Sequence, residues 1–118
     1  MTCVIYYMKV GIDLVSIKKF HKIKIDDFSH WNRVYSKAEW KIAYSASTLS
    51  NVIPALKLAS MFAIKEAAMK ATGLVGPNNF RRFEISYNKD GAPAVSFKGS
   101  AVSVSHQGEY LVAVVIIQ

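Results

Sequence analysis

The segment Phe62-Ala63-Ile64-Lys65-Glu66-Ala67-Ala68-Met69-Lys70-Ala71 sets three charges into an otherwise apolar stretch. Read as a helix at 100° per residue, it brings Glu66 and Lys70 to about 40° from each other, one turn apart on one side. Ala59, Phe62, Ala63 and Ala67 share that side, which a core would ordinarily cover. A carboxylate and an ammonium placed there must be paired, metal-bound or turned towards a ligand, because unpaired charge is costly to bury. Glu-to-Lys pairs at i,i+4 are common on exposed helices, but a solvated pair belongs on a polar face. Lys65 falls about 100° away, beside Met61 and Thr72, in what reads as a surface position.

Asp13 is the second anomaly. In the apolar run around it, Gly11 and Asp13 fall on one strand face, and Val10, Ile12 and Leu14 on the other. Gly11 removes bulk beside the carboxylate, so a ligand or another backbone can approach. Two carboxylates with lysines, and no Cys or His cluster, match the donor pattern of a hard cation. Magnesium is held in this way, by one or two carboxylates with water and substrate phosphates. A third group, Ser103-Val104-Ser105-His106, ends a strand before a glycine turn, where a histidine can bind phosphate or cap the turn. No nucleophile-elbow sequence supports a Ser-His-Asp hydrolase, and His21 and His30 read as surface residues.

These groups need an α+β frame. Val4 to Ile17 reads as a long strand. Short helices follow within 26–46, with Asp26 and Ser36 as N-caps and Ser36 with Glu39 as a capping box. Ala43 to Ile53 reads as a Ser-rich connector. The main helix runs from Pro54 to Thr72, opened by proline and closed by Gly73. Strands are expected at Phe83–Asn88, Ala94–Lys98, Ala101–Ser105 and Tyr110–Ile117, with turns at Asp90-Gly91 and Gln107-Gly108. The expected fold is an antiparallel sheet packed against one long central helix and shorter helices, in a single domain over 1–118.

Composition narrows the class. A 52% hydrophobic content excludes disorder, and the apolar excess of so small a chain suggests a subunit interface. The charge of +7 fits either a solubilising surface or an anionic partner, such as an acidic protein or a phosphorylated small molecule, and charge alone does not choose among these. Nucleic acid is the third anionic class, but no aromatic RNA motif or zinc finger supports it. The lone Cys3 rules out an internal disulfide and a cysteine-based zinc site. With no signal-peptide pattern and no run long enough to span a membrane, the expectation is a cytoplasmic protein without a membrane partner.

Taken in order, the motifs resemble the small holo-acyl-carrier-protein synthases, a branch of the 4′-phosphopantetheinyl transferases. Gly11-Ile12-Asp13 resembles that family's G-x-D strand motif, and Tyr35-Ser36-Lys37-Ala38-Glu39 its F-T-x-x-E segment. Phe62 to Ala71 is similar to F-x-x-K-E-A-x-x-K-A, and Gly73 to the glycine that follows. Phe83-Glu84-Ile85 with Asp90-Gly91-Ala92-Pro93, and then Ser103-Val104-Ser105-His106, complete the series. Met61 stands where the family usually has an arginine that helps hold phosphorylated substrate. Ser16 stands where an acidic residue commonly follows the first motif.

The resemblance implies the 4′-phosphopantetheinyl transferase fold and the transfer of phosphopantetheine from coenzyme A to a serine of an apo acyl carrier protein. Adenosine 3′,5′-bisphosphate is released. It implies Asp13 and Glu66 as Mg²⁺ ligands and, with Lys70, as the catalytic group. Lys65, Lys70, Ser105 and His106 are implied as coenzyme A contacts. It also implies a homotrimer with sites at subunit interfaces, and an acidic carrier protein of fatty-acid or polyketide assembly docking on Lys18, Lys19 and Lys22, with Lys24 nearby. The alternative is a relative that binds coenzyme A or the carrier protein without transfer.

Overall fold

Alternating side-chain direction decides how the first strand is used. The computed structural model describes residues 7–45 and 52–118. Strand β1 spans Lys9–Ser16, shorter than the expected Val4–Ile17. Ile17 already opens a 3-10 turn, Ile17–Phe20, and residues 1–6 lie outside the described residues. Gly11, Asp13 and Val15 face inwards, whereas Val10, Ile12 and Leu14 point away and stay 65%, 59% and 65% exposed.

Helix α1 (Phe28–Trp31) is a single turn, and α2 spans Lys37–Tyr44. Ser36 caps α2 as expected. Its hydroxyl accepts from the Glu39 N–H at 3.1 Å, and the Glu39 carboxylate accepts from the Ser36 N–H at 2.8 Å. Asp26 is not a cap; the turn begins earlier, and it is Asp27 that accepts from the Lys24 N–H at 2.8 Å. Trp40 Nε1 and the Tyr44 hydroxyl donate to the carbonyls of Ile25 and Ile23, each at 3.0 Å. These bonds tie the lysine-rich segment after β1 to α2. Of the expected connector, Ala43 and Tyr44 belong to α2, and 46–51 lie outside the described residues.

The long helix α3 spans Val52–Thr72, with Pro54 in its first turn. Gly73 ends it at φ 77°, a conformation that favours glycine, and its N–H reaches the Met69 carbonyl at 2.8 Å. Alanines at 59, 63 and 67 let the strands lie close against this helix. At Gly11 the approach is so tight that a Cβ would fall 1.8 Å from the Ala67 carbonyl oxygen. The bulk that Gly11 omits therefore makes room for the backbone of α3.

Strands β2 (Ile85–Tyr87) and β3 (Pro93–Val95) form a separate antiparallel ladder, shorter than expected. Phe83 closes the preceding 3-10 turn Pro77–Arg82, and a turn around Lys98 and Gly99 ends the second strand's neighbourhood. Strands β4 (Ser100–Gln107) and β5 (Tyr110–Ile117) join β1 in one antiparallel sheet of order β1-β5-β4. Gln107 pairs with Tyr110, so the turn residues are Gly108 and Glu109 rather than Gln107 and Gly108. The longer β4 places His106 within the strand, opposite Leu111. The α+β architecture is that expected, with α3 on one face of the sheet. No helix among the described residues is long and apolar enough to cross a membrane.

Candidate functional site

Pleating turns Asp13 to the helix side of β1, and helical periodicity brings Glu66 and Lys70 to meet it. Lys70 Nζ lies 3.2 Å from Asp13 Oδ1 and donates to the Ile12 carbonyl at 2.9 Å. The lysine thus crosses to the strand instead of forming the i,i+4 pair with Glu66. Asp13 is largely covered, at 15% side-chain exposure, and Lys70 is half exposed. The Glu66 carboxyl is pushed above its usual range, first by burial and then by the charge of Asp13, with Lys70 pulling the other way. Glu66 therefore feels a neighbouring carboxylate that one lysine only partly offsets. Two hard oxygen donors with excess negative charge fit a divalent cation whose other ligands are water and phosphate. Among the described residues, no group of three or more His, Cys, Asp or Glu forms a closed protein cage.

Lys65 is a correction. The sequence puts it at the surface and the resemblance puts it near phosphate, but its side chain is 0% exposed. Its ammonium pairs with Glu39 Oε2 at 2.9 Å and donates to the carbonyls of Phe80 and Phe83 at 3.1 and 2.6 Å. All three donors are satisfied inside the protein, so none is left for a substrate. Glu39, equally buried, also accepts from the Ile85 N–H at 2.8 Å. Burial lowers the Lys65 pKa, and Glu39 opposes that shift. The capping box marks Glu39 in the sequence, but its ion pair with a residue 26 positions away has no local signal.

The S-x-S-H segment divides between the two faces of the sheet. His106 lies on the helix side with Val102 and Val104, whereas Ser105 stands opposite Val112 on the other face, with Leu14 beyond it. Ser105 and His106 thus point to opposite faces of β4, and of the two only His106 lines the cavities beside this strand. His106 is also distant from Asp13. Two strand spacings and two residues along the sheet separate their Cα atoms by roughly 12 Å.

His106 instead borders two adjoining cavities. One, of about 450 Å³, is lined by Ile17, Lys18, His21, Leu56, His106 and Glu109. The other, of about 460 Å³, includes Lys57, Ser60, Tyr87, Pro93, Val104 and His106. Lys57 and Tyr87 were not marked by any sequence motif. Met61, one turn along, is wholly buried among apolar side chains. Lys18, Lys19, Lys22 and Lys24 are all exposed, beyond the end of β1 that carries Asp13.

The 4′-phosphopantetheinyl transferase superfamily model matches residues 9–115. The chain is 32% identical to a holo-[acyl-carrier-protein] synthase of Carboxydothermus hydrogenoformans, over 90% of this chain and 91% of that protein. It is 34% identical to the enzyme of that name from Thermodesulfovibrio yellowstonii, over 92% and 96%. Its fold is similar to the crystal structure of Helicobacter pylori holo-[acyl-carrier-protein] synthase in complex with coenzyme A. That match has a TM-score of 0.72 and 26% identity, and covers 90% and 96% of the two chains. With matches that span almost its whole length, the chain belongs to the 4′-phosphopantetheinyl transferase superfamily.

Proposed function

We propose that this protein is a holo-acyl-carrier-protein synthase, transferring the 4′-phosphopantetheine of coenzyme A to a serine of an apo acyl carrier protein. The observation that carries this reading is the meeting of Asp13, Glu66 and Lys70 at the crossing of β1 and α3. Similarity to enzymes of that name, and to one with coenzyme A bound, supports it. In the reaction the serine oxygen bonds to the phosphorus that bears pantetheine. The bond to the adenosine-bearing phosphate breaks, the hydroxyl proton is released, and adenosine 3′,5′-bisphosphate leaves.

Asp13 and Glu66 are the candidate ligands of Mg²⁺, which when bound supplies charge neutralisation at the pyrophosphate. Lys70 is anchored to Asp13 and half exposed, so its amine can reach phosphate oxygens without leaving its partner. The nucleophile belongs to the carrier protein. Exposed Lys18, Lys19 and Lys22 sit beyond the Asp13 strand and suit an acidic partner.

A complete site calls for more than one copy. Val10, Ile12 and Leu14 continue into Val112, Val114 and Ile116 as one apolar sheet face that the described residues do not cover. His106 and Asp13 stand too far apart to hold one phosphate together. Association through that face would bury it between neighbouring copies. A homotrimer with three such junctions is the assembly proposed.

The test is incubation with coenzyme A, Mg²⁺ and apo acyl carrier proteins of fatty-acid and polyketide type, read by intact mass. A phosphopantetheine adduct on the carrier is expected. A folded protein that modifies none of them, while still binding coenzyme A, would leave only a binding role.

A further inference from the structure

The cavity beside His106 contains a cation with no carboxylate partner among the described residues. Lys57 Nζ lies 3.8 Å from the ring centroid of Tyr87, over its face. Among the described residues the ion pairs are Lys65–Glu39 and Lys70–Asp13, so Lys57 has no carboxylate. Among the described residues no acidic side chain lines this cavity. A cation–π contact orients an ammonium while leaving its N–H donors free on the side away from the ring. The Tyr87 hydroxyl is itself buried without a hydrogen-bond partner among the described residues, and burial followed by the nearby Glu39 charge raises its pKa to about 12. The ring therefore stays neutral at physiological pH, and its face, rather than a phenolate charge, holds Lys57.

Helix geometry separates this cation from the carboxylate cluster. Lys57 and Glu66 are nine residues apart, about 14 Å along the axis and about 180° around it. A single chain cannot present both to adjacent atoms of one ligand. Coenzyme A carries two different anions, a pyrophosphate and a ribose 3′-phosphate monoester. The monoester has close to two negative charges at neutral pH. If Asp13, Glu66 and Lys70 serve the pyrophosphate, the second anion needs its own cation, in a cavity large enough for a nucleoside.

Resting on the function proposed above, we infer that Lys57, positioned by Tyr87, is the specificity-determining cation for the 3′-phosphate of coenzyme A. His106 and Ser60 border the same cavity and supply further donors. The cavity thereby discriminates phosphorylated from dephosphorylated adenosine ends, separately from the transfer chemistry.

The experiment compares coenzyme A with 3′-dephospho-coenzyme A as donors for the wild type, Lys57→Met, Lys57→Arg, Tyr87→Leu and Tyr87→Phe. Loss of a charge-assisted contact should raise KM for coenzyme A about 10- to 100-fold in Lys57→Met. KM for the dephospho form and kcat for both should stay within about two-fold of wild type, and Lys57→Arg should recover most of the loss. Tyr87→Leu should raise KM for coenzyme A about 2- to 5-fold, and Tyr87→Phe should not. Equal losses on both donors, or no loss in Lys57→Met, would overturn the inference while leaving the transferase reading intact. A wild type that neither binds nor uses coenzyme A, judged by calorimetry, overturns both.

Discussion

Replacing Lys65 by methionine separates a structural lysine from a substrate-binding one. The substitution leaves the Glu39 carboxylate, 0% exposed, without its counter-ion at 2.9 Å. It also strips the carbonyls of Phe80 and Phe83 of a charged donor. Removing one partner of a buried ion pair typically destabilises by about 3–5 kcal/mol. Glu39 keeps its bonds from the Ser36 and Ile85 N–H groups, which favours the lower half of that range. For a domain of this size, each kcal/mol lowers Tm by roughly 3–5 °C, so a fall of about 10–15 °C is expected. Urea unfolding should show a lower midpoint with an unchanged m-value. The double variant Lys65→Met with Glu39→Gln removes both charges and should recover a substantial part of the loss. KM for coenzyme A, measured well below the new Tm, should stay near the wild-type value. A Lys65→Met protein with unaltered Tm and a KM raised ten-fold or more would refute the reasoning and return Lys65 to the phosphate site.

Four further outcomes follow from the same geometry. Glu66→Gln should reduce transfer at least about 100-fold yet raise Tm at pH 7. The folded Glu66 pKa is raised, so its ionised form weakens the fold above that pKa, and the gain should vanish below about pH 4, where both states are protonated; a Tm gain that persists in acid would contradict this. Gly11→Ala should destabilise by about 3 kcal/mol or more in urea titrations and reduce activity with it, because its Cβ would sit 1.8 Å from the Ala67 oxygen. Ile12→Lys with Leu14→Lys should convert the assembly to monomers in light scattering and abolish transfer; retained trimers would exclude that sheet face as the interface. Lys19→Glu and Lys22→Glu together should slow carrier-protein association several-fold at low salt, with a smaller change at high salt, and leave coenzyme A affinity unaltered.

The sequence by itself determined the elements whose cause is local. Pro54 and Gly73 bracket α3 within two residues, Ser36 and Glu39 cap α2, and period-two alternation separates Asp13 from the apolar face of β1. It also marked Asp13, Glu66 and Lys70, since charges at core-facing positions are visible wherever a helix or strand is. Tertiary structure decided what these charges meet. Lys65 and Glu66 are neighbours in sequence, yet the turn of the helix sends one into the core beside Glu39 and the other towards Asp13. No local pattern states which side of an almost wholly apolar helix a neighbouring element will cover. In the same way, strand pleating separated Ser105 from His106, and only the packing of α3 against the β2–β3 ladder brought Lys57 over Tyr87. A charge's type and spacing show that it must be compensated, but the long-range contacts select the group that compensates it.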